Sequence, residues 1–389
     1  MTLPCPSAEA QRASGALVAR IRDEILARDG WIGFDRFMDM ALYTPGLGYY
    51  SGGAHKFGAA GDFVTAPELT PLFSQTLAAQ VKQILTLSAP HIIEVGAGSG
   101  RLAADLLLEL EAGACLPESY RILDLSGELQ ERQQSTLART APHLLERVAW
   151  IDRLPERFDG LVLANELLDA LPVHLAVWGN EENPAQIFER GVSWIDEAFA
   201  WRDIPAQGRV FDRARQIAGE CVLPVGYLSE ISLAAADWTA AWASILGNGA
   251  LLLIDYGFPR HEFYHPQRGC GTLMCHYRHH AHAEPFFLPG LQDITAHVDF
   301  TGVIEAGHDA GLDLLGYTTQ GAFLLNCGLT DILSRIPADD CERYLPHAHA
   351  AQKLISPTEM GELFKVMALG KGISAPLVGF TLGDRSASL

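Results

Sequence analysis

Two periods of apolar residues alternate along the chain from residue 91 onward. Ile92, Ile93 and Val95 form a short apolar run, and Leu102, Leu106, Leu107 and Leu110 then recur three and four positions apart, as on one helix face. The pattern predicts strands at 91–95, 120–125, 148–151, 160–164 and 249–256, with helices at 102–111, 126–140 and 232–246. Further on it predicts a helix over 298–310, a strand over 312–318, a helical region to about 369 and a final strand over 377–382. Short strands alternating with helices indicate an α/β fold with a parallel sheet. Ahead of them the spacing gives a helix over 7–29, with Ser7 as cap and Gly30 as stop, then helices at 33–42 and 72–87. The Gly- and Pro-dense stretch 44–71 lies between those two. Its aromatics (Tyr49, Tyr50, Phe57, Phe63) argue against a disordered linker, so 1–90 reads as a helical cap with a lid loop. Residues 91–389 read as the main domain, broken by a β-hairpin insertion at about 173–213 and a Gly/His/Pro-rich insertion at about 258–297.

The first strand runs into Glu94-Val95-Gly96-Ala97-Gly98-Ser99-Gly100. Glycines there let the backbone take positive φ and approach a ligand, and the helix that follows offers free N–H groups. A dinucleotide fingerprint would put its third glycine at 101, where Arg101 stands; here it falls one position earlier. This E-x-G-x-G-x-G form is similar to the first motif of class I methyltransferases that bind S-adenosyl-L-methionine (SAM). On that likeness Glu94 lies near the ammonium of the methionine part, and Gly96, Gly98 and Gly100 admit the nucleoside. A glycine-rich turn that only packs helix on sheet is the alternative.

Ligands of open parallel sheets sit at the carboxyl ends of the strands, where Asp124, Asp152 and Asn165 fall. Asp124 is placed to accept both ribose hydroxyls or to be a solvated acid at a strand end, and Asp152 to meet an adenine amino group or to lie on the surface. Asn165-Glu166-Leu167-Leu168-Asp169-Ala170-Leu171-Pro172 carries two acids where methyltransferases of planar amides often have prolines. Paired carboxylates grip a guanidinium in a fork, which suits arginine methylation; they also suit a helix cap.

Composition narrows the partners. Lys and Arg number 28 against 47 Asp and Glu, a net charge of −19, so phosphate backbones are repelled and nucleic acid is a poor substrate. No apolar run reaches the length of a membrane span, and the start lacks a basic and an apolar signal region, so a cytoplasmic protein is expected. Seven scattered cysteines without a C-x-x-C pair suit reduced thiols. Cys270, Cys275, His276, His279, His280 and His282 match no closed zinc spacing and read as a polar loop, so no metal is expected.

Several ordered segments carry a wider likeness: Gly48-Tyr49-Tyr50, the stretch from Gly61-Asp62-Phe63 through Thr65 to Glu68, the glycine motif, Asn165 to Pro172, Glu230-Ile231-Ser232, Gln292 to Phe300, and Met360 to Val366. Across about residues 15–385 the chain resembles the MidA family, which has mitochondrial members that methylate protein arginine. The resemblance implies a Rossmann-like class I SAM-dependent methyltransferase sheet with an N-terminal helical cap and inserted segments, and a protein substrate. It implies that Gly61, Asp62 and Thr65 fold over the cofactor and that Asn165, Glu166 and Asp169 lie by the transferred methyl; Glu166 with Asp169 or Glu230 then holds the guanidinium. Tyr50, His297 and Asp299 then line the substrate cleft. Asp124 stands where the family more often has Glu. A SAM-binding assembly module and a small-molecule methyltransferase are the competing readings, and a homodimer is the oligomeric alternative to a monomer.

Overall fold

The computed structural model describes residues 3–52 and 65–389. The chain divides into two compact units, Met1–Phe63 with Leu168–Asp237 and Phe258–Asp299, and Val64–Leu167 with Trp238–Gly257 and Phe300–Leu389. Gly61 and Asp62 lie outside the described residues.

The second unit holds the sheet that the apolar periods predict. Its strands are β1 (His91–Val95), β2 (Ser119–Leu123), β3 (Val148–Ile151), β4 (Phe158–Asn165), β5 (Leu246–Phe258), β6 (Asp313–Thr319) and β7 (Phe364–Lys371). They lie in the order β6-β7-β5-β4-β1-β2-β3. β5, β4, β1, β2 and β3 pair in parallel, and β7 runs antiparallel between β5 and β6. Strands covered on both faces have no reason to alternate, and Leu161, Val162, Leu163, Leu251, Leu252 and Leu253 are all fully buried. Helices α1 (Pro71–Leu87), α2 (Arg101–Ala112) and α3 (Gly127–Thr140) pack beside them. The α1 helix starts on Thr70, whose hydroxyl accepts the Leu72 N–H at 3.3 Å, with Pro71 at the first position, where it removes no helical bond.

The chain leaves β1 for β2 and β3 on one side and returns to β4 on the other. That reversal between β1 and β4 opens a crevice at their carboxyl ends. Two acids inside this sheet are buried, Glu94 in β1 and Asp255 in β5. Glu94 in β1 is 2% exposed and accepts the Tyr120 hydroxyl from β2 at 2.6 Å; burial pushes its carboxyl up to about 7 against that hydrogen bond.

The final strand differs from expectation. Residues 377–382 contain a single 3₁₀ turn, Val378–Phe380, and the last strand is β7, within the stretch that sequence reads as helical to about 369. All of β7 from Phe364 to Gly370 is buried, Lys365 included; the Lys365 ammonium donates to the Glu362 and Leu363 carbonyls. A central strand buried on both faces shows no period to separate it from a helix.

The first unit is built on an antiparallel sheet in which Ile187–Ile195 pairs with Ile32–Gly33, His174–Trp178 and Ala198–Pro205, and His174–Trp178 with Tyr227–Ile231. Helices Ala8–Ala27 and Phe34–Tyr43 pack Leu17, Ile21, Phe34 and Phe37 against Val192; Ser7 caps the first, accepting the Ala10 N–H at 3.2 Å. The sequence reading ends the hairpin insertion at 213 and foresees neither helix Gly208–Glu220 nor strand Tyr227–Ile231. None of the seven cysteines forms a disulfide, and among the described residues no helix is long and apolar enough to cross a membrane.

Two predictions follow from the sheet. Leu163→Ala, at the centre of β4, lowers the unfolding free energy by about 3 kcal/mol, whereas Leu125→Ala, 82% exposed, changes it by less than about 0.5 kcal/mol in urea unfolding. Equal shifts would contradict the assigned core. The fold raises Glu94 from 4.5 to about 7, so its contribution is complete below about pH 4.5 and is lost as pH rises through 7. Glu94→Gln keeps an acceptor for Tyr120 and cannot titrate, so wild type loses about 3 kcal/mol relative to it between pH 4.5 and 8. A pH-independent difference would contradict the buried-acid account.

Candidate active site

The crevice begins at the glycine turn. Gly96 follows β1 with φ +69°, and a Cβ there would stand 2.9 Å from Leu167 Cδ1. Gly100 caps α2 at φ +80°, and its Cβ would stand 2.9 Å from the Cα of Gln133. Both positions therefore need glycine for conformation and for space. Gly98 between them also has positive φ, and the Ser99 hydroxyl donates to the Glu68 carboxylate.

Asp124 sits just past β2 and is nearly buried. Its Oδ1 accepts the Ser126 N–H at 2.9 Å and its Oδ2 accepts Gln133 Nε2 at 2.8 Å. Burial raises its carboxyl above the usual range, and these donors oppose that rise. A carboxylate is the acceptor-only group suited to the hydroxyls of a vicinal diol. Gln133 is wholly buried; its Nε2 also reaches the Gly98 carbonyl at 3.2 Å, and its Oε1 accepts the Trp150 indole N–H at 2.8 Å. Asp152 is exposed just beyond β3.

Asn165 closes β4. Its Nδ2 donates to Glu166 Oε1 at 3.2 Å, and its Oδ1 is buried with no hydrogen-bond partner among the described residues. Glu166 takes φ +52°, a left-handed conformation costly for a residue with a Cβ. It persists because the corner is tied on several sides: Glu166 N–H donates to Ile254 O at 2.8 Å, and Leu167 N–H to Asp255 Oδ2 at 3.1 Å. Ala66 N–H donates to Glu166 Oε1 at 3.3 Å. Thr65 precedes the short helix Ala66–Leu69, and its carbonyl accepts the Glu68 and Leu69 N–H groups.

The other anticipated residues belong to the first unit. Tyr50 is partly buried, donates its hydroxyl to Asp293 Oδ1 at 3.0 Å and stacks on Tyr43 at 5.5 Å; desolvation, then Asp293, holds the phenol neutral to high pH. Asp169 is nearly buried, and its carbonyl accepts the Ala296 N–H at 2.9 Å. Glu230 is buried and occupied by the loop after Gly271: Oε1 accepts the Thr272 and Leu273 N–H groups at 2.8 and 2.9 Å, and Oε2 the Thr272 hydroxyl at 3.1 Å. The His297 ring packs edge-on to Phe258 at 5.3 Å, and Asp299 lies 3.7 and 3.6 Å from Arg213 and Arg260.

Among the described residues one group, Asp35, His174 and Glu189, gathers metal-ligating atoms within 4.8 Å of one another. His174 Nδ1 lies 2.8 Å from Glu189 and 3.4 Å from Asp35; burial lowers its pKa, and the two acids outweigh that and raise it above the usual imidazole range.

Gln133 and Asp255 are the site residues that sequence reasoning misses. Both left a signal. Gln133 occupies the buried stripe of α3 with Leu129, Thr136 and Leu137, and Asp255 interrupts the apolar run of β5 as Glu94 interrupts β1.

A tight positive-φ turn leading into a helix and a buried diol acceptor together fit the nucleoside of SAM, and the unpartnered Asn165 Oδ1 offers a further acceptor. The profile of the S-adenosyl-L-methionine-dependent methyltransferase family matches residues 72–318. The Drosophila melanogaster protein arginine methyltransferase NDUFAF7 homolog, mitochondrial, is 28% identical over 97% of this chain and 91% of its own. Its Danio rerio counterpart is 25% identical over 94% and 92%. A COG1565 superfamily member from Burkholderia thailandensis, crystallised with S-adenosyl-homocysteine, is 51% identical, covers 100% of both chains and superposes with a TM-score of 0.96. The chain belongs to the MidA-like family of SAM-dependent methyltransferases.

Proposed function

We propose that the enzyme transfers the methyl group of SAM to an arginine side chain of a protein substrate, with Glu166 as the acid that receives the guanidinium. The strained and heavily tied backbone at Glu166 is the observation that carries this reading: non-glycine residues held at positive φ concentrate where a side chain must be aimed. The names of the curated relatives agree with it. So does the charge of −19, which attracts a cationic acceptor and repels an anionic one.

In this reading the turn Gly96–Gly100 and Asp124 hold the nucleoside, with Asn165 and Thr65 beside the donor. SAM, when bound, supplies a methyl group on a sulfonium; as the methyl passes to nitrogen the carbon–sulfur bond breaks and neutral S-adenosyl-homocysteine is left. Glu166 aligns the planar guanidinium by a charge-assisted hydrogen bond. The proton displaced from nitrogen leaves to water through a carboxylate. Glu230 holds the loop at Thr272 and Leu273.

Asp124→Ala weakens SAM binding by about 10- to 100-fold in calorimetry, the value of charged hydrogen bonds to two hydroxyls. Unchanged affinity would remove Asp124 from the site. Glu166→Gln leaves SAM affinity within about threefold and lowers transfer of labelled methyl to protein by about 100-fold, the loss of one oriented charged contact at the reacting group. Acid hydrolysis of the labelled protein fraction should yield methylarginine. Label in a small molecule, or full transfer by Glu166→Gln, would contradict the proposal.

A further inference from the structure

We infer that Gln133 is a positioning residue that sets the affinity for SAM by holding three walls of the nucleoside site in one arrangement. The inference rests on the reading that the glycine turn and Asp124 hold that nucleoside. Gln133 sits on α3 and is wholly buried. Its single amide meets three partners from three segments: Gly98 O in the glycine turn at 3.2 Å, Asp124 Oδ2 after β2 at 2.8 Å, and Trp150 Nε1 in β3 at 2.8 Å. Two of these need a donor and the third needs an acceptor, so the partners themselves fix which way the amide points.

A carboxamide is the side chain that meets all three demands at this length. Glutamate would still accept from Trp150 but would set a second carboxylate against Asp124. Methionine would fill the space and leave a carbonyl, a carboxylate oxygen and an indole N–H without their partner. The backbone leaves no slack either. A Cβ on Gly100 would stand 2.9 Å from Gln133 Cα and 3.2 Å from its carbonyl oxygen, so α3 presses directly on the end of the glycine turn. Asp124 is further fixed by Ser126 N–H on Oδ1 and by Gln130 Nε2 on its carbonyl at 2.7 Å, which leaves Gln133 as the link from this acid to the glycine turn and to Trp150. Preorganised walls raise affinity because the cost of ordering them is met before the ligand arrives.

The test compares binding of SAM, by calorimetry on the full-length protein, in wild type, Gln133→Met, Gln133→Glu, Trp150→Phe and the double variant Gln133→Met with Trp150→Phe. Gln133→Met is expected to weaken binding about tenfold, Trp150→Phe about threefold, and the double variant no more than Gln133→Met alone, because one network is cut twice. Gln133→Glu is expected to bind about 30-fold more weakly than wild type at pH 8 and to recover to within about threefold of it at pH 6, where the facing acids share a proton and the hydrogen bond returns. Glu94, raised to about 7 and coupled to Asp124, titrates in the same window, so the ratio is read in the Glu94→Gln background, where that group carries no proton equilibrium. A generally loosened fold would not produce recovery on acidification. Folded Gln133→Met with wild-type affinity overturns the inference. If Gln133→Met does not fold, a Gln133→Glu to wild-type ratio that stays constant from pH 8 to 6 overturns it instead. Failure of wild type to bind SAM, or undiminished binding by Asp124→Ala, would instead overturn the reading of the nucleoside site.

Discussion

Parallel pairing of β1 with β4, in register from Ile92 against Leu161 to Val95 against Ala164, is the constraint on which the second unit depends. It makes the two strands end side by side, so the glycine turn leaves one and the Asn165–Glu166 corner leaves the other at the same edge. The hydrophobic runs that bury these strands thus also decide where the polar chemistry lies. A one-residue slip would turn every side chain of β4 to the opposite face and move both ends out of step.

Within that frame the polar groups buried in apolar elements each tie one segment to another. Glu94 takes the Tyr120 hydroxyl across β1 and β2, Asp255 holds the backbone after Glu166, and Gln133 joins the glycine turn to Asp124 and Trp150. A buried polar atom left unsatisfied costs more than a made bond gains, so each group locks its neighbours into one geometry. The acids of the first unit are spent similarly: Glu230 on the loop at Thr272, Asp299 on Arg213 and Arg260, Asp293 on Tyr50.

Sequence legibility follows from which signals are local. Strands β1 to β5 and helices α2 and α3 could be read because apolar period and caps such as Ser126 are local properties. The position of β7 could not, since Phe364–Lys371 is buried on both faces and its place between β5 and β6 comes from pairing partners far away in sequence. The glycine turn was legible from spacing. The duties of Gln133 and Asp255 were not, because a polar residue on a buried stripe announces that it has a partner without saying which. The positive φ of Glu166 had no sequence sign either; glycine marks such a conformation and glutamate hides it.

The central claim is that the edge shared by β1, β4 and β2 receives the nucleoside of SAM. A crystal structure of this protein with S-adenosyl-homocysteine tests it most directly. The account predicts the ribose hydroxyls on the Asp124 carboxylate, the nucleoside against Gly96 to Gly100, and the Gln133 amide still bonded to Asp124 and Trp150. Ribose on Asp152, or a ligand away from the glycine turn, would contradict it.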